Sequence, residues 1–149
     1  MPNAPHYRAL ENMYQAAPIN RFFPPQMTVS QGTATIKLHL KQEYHHTAGA
    51  VHGSVYFKLL DDAAFFAVNS LEKEVFVLTT AFTTYITRPV VEGTMTAVGR
   101  VMNTGKSQWL AESVVYDDKD REIARGNGIF VRSKIRLATL PEYAGHDSL

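Results

Sequence analysis

The pattern of apolar positions divides the chain into one central helix and a series of strands. Residues 55–68 carry apolar side chains on every face of a helical wheel, interrupted by only three charged residues. A helix of this kind is buried on most sides by other structure. Earlier in the chain, residues 7–17 have apolar side chains at helical spacing and end at Pro18, which predicts a short amphipathic helix.

Strand patterns surround the central helix. Apolar and polar residues alternate over residues 33–40, which predicts a half-buried strand before it. Segments rich in Thr, Val, Phe and Tyr, separated by turn sequences, predict four strands after it, at residues 75–88, 93–103, 106–116 and 121–132. This order predicts one α+β domain over residues 1–149, in which an antiparallel sheet of about five strands curves around the helix. The polar tail from Lys134 is expected to be loosely held.

Composition narrows the class of protein. The chain is 45% hydrophobic and 19% charged, with a net charge of +1, which is typical of a globular domain and gives no electrostatic reason to expect nucleic acid or an anionic membrane as a partner. The absence of cysteine excludes disulfides, thiolate metal sites and a cysteine nucleophile. His45 and His46 lack a third ligand at convincing spacing, so no metal is expected. The chain has neither a signal-peptide pattern nor a run of transmembrane length, and a cytoplasmic location is expected.

Asp61 is the residue whose position most needs an explanation. Its neighbours at i − 4, i + 4 and i + 7 are Phe57, Phe65 and Val68. A carboxylate within such an apolar stripe is costly, so we expect it to serve a function. The adjacent Asp62, by contrast, can pair with Lys58 one turn back and face water, and replacing it with Asn is expected to change little.

The segment before the helix offers a second candidate group. Residues 48–54 are small and flexible enough to bring backbone close to a ligand, and the first turn of a helix carries unpaired N–H groups at the positive end of the helix dipole. The N–H of Gly53 is therefore a candidate donor to an oxygen that carries partial negative charge.

These residues resemble a known pattern. His52-Gly53-Ser54 followed by Asp61, with Gly49 upstream, resembles the N-x-x-G-x-x-H-G-G-x(6)-D pattern of the phenylacetate-type (PaaI-like) hotdog thioesterases. Two positions differ: His46 stands where the family has Asn, and Ser54 replaces the second Gly of the pair.

Two later segments extend the resemblance over roughly residues 28–133. Residues 79–89 end in Tyr85-Ile86-Thr87-Arg88-Pro89 and resemble the strand that ends in an aromatic residue and Arg-Pro in that family. Gly105-Lys106 resembles the family's Gly-Arg or Gly-Lys turn. The resemblance implies the hotdog fold, with the sheet wrapped around one long helix.

The function that the resemblance implies is hydrolysis of an acyl-CoA or aryl-CoA thioester. Asp61 is then the general base or the nucleophile, the Gly53 N–H is the oxyanion donor and Thr79 orients the water, although Thr79 is also an ordinary residue for a strand. His52 either acts directly or positions the loop. His46 replaces an Asn that helps to polarise the thioester carbonyl, and an imidazole titrates in the working pH range.

The resemblance also implies partners. In the family the aspartate comes from the neighbouring subunit, which predicts a dimer with a shared site, and two such dimers commonly form a tetramer. The residues that the resemblance assigns to coenzyme A are Arg88, Pro89, Gly105, Lys106 and Ser107. No cofactor is implied, since coenzyme A enters as part of the substrate. Met27, Tyr56, Phe65 and Phe66 are candidates to line an apolar or aromatic acyl pocket.

Two other functions are compatible with the sequence. One is a hotdog hydratase or dehydratase acting on acyl thioesters, although the His-Phe-Pro and Asp-x(4)-His signatures of such enzymes are absent. The other is a non-catalytic acyl-CoA binding module.

Overall fold

The structure is a computed structural model that describes residues 3–145. Its elements in chain order are α1 (Ala4–Ala16), β1 (Pro25–Ser30), β2 (Thr33–His39), α2 (Gly53–Asn69), β3 (Val75–Ile86), β4 (Thr94–Thr104), β5 (Gln108–Tyr116), β6 (Glu122–Arg136) and α3 (Pro141–Ala144). The six strands form one antiparallel sheet in the order β1-β2-β4-β5-β6-β3, and α2 packs against it. The predicted hotdog fold is confirmed.

The sheet has one more strand than expected, because β1 forms directly after Pro24. Pro25 is the first residue of β1, and β1 is an edge strand. Proline is tolerated at both kinds of position because the missing N–H is not needed for the ladder. The two prolines therefore introduce a strand rather than only a turn.

A glycine lets α2 approach the sheet closely. A Cβ atom at Gly99 on β4 would lie 2.3 Å from the carbonyl carbon and oxygen of Ala63 on α2. Next to this contact, the Ser113 hydroxyl of β5 donates a 2.6 Å hydrogen bond to the Leu60 carbonyl oxygen. These contacts hold the middle of α2, where Asp61 lies, at a defined height over the sheet.

A register shift in β3 decides which of its side chains face α2. The pairing with β6 shifts between Thr79 and Ala81, so that Thr79 is opposite Phe130 and Phe82 is opposite Gly128. Strict alternation would place Thr79 and Ala81 on the same face, but the extra residue moves Phe82 to the face of Thr79 instead.

The Phe82 ring occupies the space left by two glycines of β6. A Cβ atom at Gly126 or at Gly128 would lie 2.5 Å from an atom of this ring. Close packing of this ring therefore requires glycine at both positions.

The chain stays ordered beyond the last predicted strand. Strand β6 continues to Arg136, Leu137 is fully buried, and α3 packs against α1. The His6 Nδ1 atom of α1 is 2.7 Å from the Tyr143 hydroxyl of α3. The expectation of a loosely held tail from Lys134 is therefore wrong as far as Gly145, and residues 146–149 lie outside the described part. Within residues 3–145, no helix is both long and apolar enough to cross a membrane.

Candidate active site

Asp61 and Thr79, which are 18 positions apart in sequence, meet between α2 and β3. The Thr79 hydroxyl donates a 2.8 Å hydrogen bond to Asp61 Oδ1. The bulge in β3 keeps Thr79 on the face toward α2, and the close packing of α2 on β4 sets the position of Asp61. Both residues are half-buried, and the structure brings them together as the sequence predicts.

The surroundings of Asp61 favour its protonated form at mildly acidic pH. Burial raises the pKa of Asp61 to about 6, and the Asp62 carboxylate also raises it. The hydrogen bond from Thr79 and the ammonium group of Lys58 act in the opposite direction. A carboxyl group with such a pKa is ionised near neutral pH and is more basic than an ordinary aspartate, which suits a general base.

Asp62 does not face water, contrary to the sequence-based prediction. Its predicted partner is confirmed, since Lys58 Nζ lies 2.6 Å from Asp62 Oδ2, but only 20% of the Asp62 side chain and 13% of the Lys58 side chain are exposed. The Tyr14 hydroxyl of α1 donates a 2.6 Å hydrogen bond to the same oxygen. Packing of α1 over this turn of α2 is the reason, and a helical-wheel argument restricted to α2 could not include it.

Asp61 opens into two adjoining cavities with largely aromatic walls, of about 210 and 360 Å³. Both are also lined by Lys58, Asp62 and Ile19. The aromatic residues that line one cavity or the other are Tyr14, Phe23, Phe57, Phe65, Phe66 and Phe76. We call this pair of cavities the aspartate cavity.

Several of these wall residues were absent from the sequence-based prediction. Phe65 and Phe66 were predicted to line the acyl pocket and do line the aspartate cavity, whereas Met27 does not line it. Ile19 and Phe23 come from the segment after Pro18, which has no helical or strand periodicity. The apolar residues Ile19, Phe22 and Phe23 directly after Pro18 are the signal in the sequence that could have identified this segment.

His52 caps the start of α2. Its Nδ1 atom accepts a 3.0 Å hydrogen bond from the Ser54 N–H and lies 2.8 Å from the Ser54 hydroxyl. Because Nδ1 accepts this bond, the ring proton of the neutral imidazole is on Nε2. The His52 side chain therefore positions the first turn of the helix, which is one of the two roles predicted for it.

Gly53 and His46 lie together in a separate cavity of about 370 Å³, which we call the entrance cavity. Its other lining residues are Ala50, Val51, Tyr56, Ile86, Thr87, Arg88 and Pro89. His46 Nδ1 accepts a 3.1 Å hydrogen bond from the Ala48 N–H, which shapes the loop. Gly49 in this loop has a φ of 87°, a conformation that glycine adopts without strain.

Within one chain Gly53 and Asp61 are too far apart to act on one carbonyl group. Gly53 and Asp61 are eight residues apart on α2, which corresponds to about 12 Å along the helix axis. The structure thus brings Asp61 to Thr79 and brings Gly53 to His46, but it does not bring these two pairs together in a single subunit.

The residues assigned to coenzyme A are also divided. Arg88 and Pro89 follow the end of β3 and line the entrance cavity. The Gly105–Ser107 turn lies at the other end of β3, because the following residue, Gln108, pairs with Val131, which pairs with Leu78. The eight residue-to-residue steps from Leu78 to Ile86 span about 25 Å. One subunit therefore does not bring Arg88 and Lys106 to the same phosphate.

No metal site accompanies these residues. Among residues 3–145, no three His, Asp or Glu side chains are close enough together to bind a metal ion.

Comparison with known proteins agrees with this architecture. The E. coli PaaI protein from the phenylacetic acid degradation operon superposes with a TM-score of 0.78 at 22% identity, covering 87% of this chain and 96% of that one. The phenylacetic acid degradation protein PaaI from Thermus thermophilus superposes with a TM-score of 0.71 at 18% identity, covering 78% and 99%. A candidate esterase of Saccharolobus solfataricus is 26% identical over 103 residues, which are 69% of each chain.

A family model defines the class of the protein. The model of the thioesterase superfamily matches residues 48–124, which is just over half of the chain and includes α2 and β3. The chain belongs to the thioesterase superfamily. The resemblance to PaaI-like hotdog proteins seen in the sequence is confirmed by the superpositions.

Proposed function

We propose that this protein is an acyl-CoA thioesterase that hydrolyses an acyl or aryl thioester to the free acid and coenzyme A. The observation that carries the proposal is Asp61, a carboxylate whose pKa burial raises to about 6, hydrogen-bonded by Thr79 at the wall of an aromatic cavity. Membership of the thioesterase superfamily supports the reaction type.

Asp61 serves as the general base in this mechanism. Its carboxylate takes a proton from a water molecule that Thr79 helps to orient, and the water oxygen attacks the thioester carbonyl carbon. The Gly53 N–H, at the positive end of the α2 dipole, stabilises the oxyanion, and His46 contacts the same oxygen. The tetrahedral intermediate then expels the coenzyme A thiolate, which takes up a proton. Direct attack by Asp61 would instead form an acyl-carboxyl anhydride that water hydrolyses.

The site that we propose forms between two subunits that pair along β3. This strand is an edge of the sheet, and no residue of Val75–Ile86 is charged or a proline, so nothing in it opposes pairing with another chain. Exposed apolar side chains on this strand are Leu78, Tyr85 and Ile86.

A twofold axis between residues 82 and 83 of β3 would complete the site. Antiparallel pairing about residues 82–83 sets Thr79 of one subunit opposite the partner subunit's Ile86. A Cβ atom at Gly53 would lie 3.2 Å from the Ile86 Cδ1 atom, so Gly53 is adjacent to Ile86. The same pairing carries the partner subunit's Gly53 toward Asp61 and the partner subunit's Lys106 toward Arg88. The division of the site within one chain supports this arrangement.

Asp61→Asn tests the proposal, with Asp118→Asn in the turn between β5 and β6 as the matched control. Release of free thiol from a panel of acyl-CoA substrates should fall about 100-fold or more in Asp61→Asn, because the base is lost, and should stay near the parent value in Asp118→Asn. In the parent, the rate should fall as the pH drops through about 6, since only ionised Asp61 accepts the proton. Near-parental turnover by Asp61→Asn would exclude this role for the residue.

The same panel separates the other functions. Binding of acyl-CoA without thiol release would indicate a binding module, and hydration of an enoyl-CoA without thiol release would indicate a hydratase. Arg88→Ala should raise KM for acyl-CoA much more than for the matching thioester of N-acetylcysteamine, because only the former carries phosphates. Equal effects on both substrates would remove Arg88 from the coenzyme A site.

A further inference from the structure

Three residues beside Asp61 form a largely enclosed polar cluster that the proposed reaction does not use. Asp62 Oδ2 accepts hydrogen bonds from the Lys58 ammonium group and from the Tyr14 hydroxyl, each at 2.6 Å. Lys58 Nζ also lies 5.2 Å from the centre of the Tyr14 ring and 5.4 Å from that of Phe23. Both charges are therefore held in place, and neither can turn freely into water.

The cluster faces the same cavity as Asp61. Lys58, Asp61 and Asp62 line both parts of the aspartate cavity, and Tyr14 lines one of them. The other neighbours of Asp61 carry no charge: Thr79 comes from β3, and Ile19 and Phe23 come from the segment after α1. In the proposed dimer, the partner subunit's His46 would also face this cavity.

The two charges of the cluster act on Asp61 in opposite directions. The Asp62 carboxylate raises the pKa of Asp61, whereas the Lys58 ammonium group lowers it. Since their mutual contact fixes both positions, neither effect averages out by side-chain motion. A partly buried ion pair of this kind contributes little net stability, so stability alone does not explain its presence beside the base.

We propose that Lys58 and Asp62 are positioning residues for catalysis, an opposed charge pair anchored by Tyr14 that sets the pH range in which Asp61 works as the base. The inference rests on the proposed function. It requires no contact between the pair and the substrate, because the pair acts on the reaction only through Asp61.

Removal of one charge at a time tests the inference. Asp62→Asn removes a negative charge and releases Lys58 toward Asp61. The acidic limb of the pH–rate profile should therefore move to lower pH by about one unit. In Lys58→Met, Asp62 is left without its cation, and the acidic limb should move to higher pH by a similar amount. The double variant should return close to the parent, because both opposing charges are gone, and Lys58→Arg should retain the parent profile.

A structural role predicts a different result. If the cluster only supported the packing of α1, its loss would admit water around Asp61 and move the acidic limb down in both single variants. Shifts in the same direction, or no shift in either, would overturn the inference. Lys58→Gln replaces Lys58→Met as the neutral variant if the latter is not recovered in folded form by circular dichroism.

A second readout does not depend on turnover. The ¹³C carboxyl signal of Asp61, assigned by its absence in Asp61→Asn, should titrate lower in Asp62→Asn and higher in Lys58→Met. If the parent released no thiol, the proposed function would fail, whereas the titration would still measure the effect of each charge. If the parent were active and the Asp61 titration were the same in all variants, the inference would be overturned and the proposed function would stand.

Discussion

Asp61 illustrates what a residue type and its neighbours in sequence can reveal. A carboxylate within an apolar helical stripe is unusual enough to be selected from the sequence, and its partner Thr79 follows from the family resemblance. The structure places the two residues in contact through a 2.8 Å hydrogen bond. For Asp62 the sequence-based prediction was wrong, because its surroundings come from α1, which is distant in sequence.

Asp61→Asn should stabilise the protein at alkaline pH while it removes activity. Burial raises the pKa of Asp61 from 3.8 to about 6, so the folded state binds the Asp61 proton more tightly than the unfolded state does. Ionised Asp61 therefore costs stability once the pH has risen through about 6, by about 2–3 kcal/mol. This cost disappears near pH 4, where the folded state keeps the proton.

Urea denaturation at pH 8 and pH 4 checks this prediction. The free energy of unfolding of Asp61→Asn should exceed that of the parent at pH 8, and the difference should shrink toward pH 4. Both proteins must be compared at one concentration, since association also contributes to stability. A variant less stable than the parent at pH 8 would mean that ionised Asp61 is well accommodated in the folded protein.

At the scale of elements, the contacts between α2 and the strands decide where the site residues lie. The spacing of apolar residues predicted the helix and five of the strands, with ends within a few residues of those observed. The bulge at Thr80 and the approach of α2 to Gly99 did not follow from that spacing, since both depend on which strands are neighbours in the sheet.

Gly99→Ala should be among the more damaging single-atom additions to this protein. The new methyl group would lie 2.3 Å from the Ala63 carbonyl and 2.6 Å from the Ala64 nitrogen, and backbone atoms of a buried helix cannot rotate away. We expect a loss of about 3 kcal/mol or more in the free energy of unfolding, or a failure to fold. Gly145→Ala is the control, since its Cβ would have no atom within 4 Å, and it should change stability by less than about 0.5 kcal/mol. Equal stability of the two variants in thermal denaturation would show that α2 can move off the sheet.

At the scale of the whole molecule, a single chain holds two incomplete halves of the proposed site. Thr79 and Asp61 lie toward the first half of β3, and Gly53 lies beside Ile86 at its end. If two chains paired along this uncharged edge, each half of the site in one chain would meet the other half in its partner. A twofold axis requires this to occur twice, so the dimer would contain two complete sites. The expected mass in solution is therefore at least twice the 16.7 kDa of one chain.

Mixing two inactive variants tests whether the halves come from different subunits. Gly53→Pro removes the N–H at the first position of α2, where proline is well tolerated, and His52 before it has the extended conformation that proline requires. Like Asp61→Asn, it should be about 100-fold less active than the parent because the oxyanion donor is missing. After mixing and refolding with Asp61→Asn, half of the dimers would carry one intact site, giving about a quarter of parental activity.

The outcome of the mixture is decisive in either direction. Recovery well above both variants requires that Gly53 and Asp61 of one site belong to different chains. If activity does not rise although native mass spectrometry shows mixed dimers, the shared site is excluded. Refolding each variant alone is the control for activity gained by refolding itself.

The sequence by itself determined the hotdog class, the central helix and the selection of Asp61, Gly53 and Thr79. These follow from short-range chemistry and from the family pattern: the periodicity of apolar residues, the cost of a buried charge and the unpaired N–H groups of a helix start. Only the tertiary structure decided that Asp62 and Lys58 are enclosed by Tyr14, and that Asp61 lies beside Thr79 whereas Gly53 lies beside Ile86 at the end of β3. Contacts between elements distant in sequence decide both points, and a pattern along the chain carries no information on which elements become neighbours.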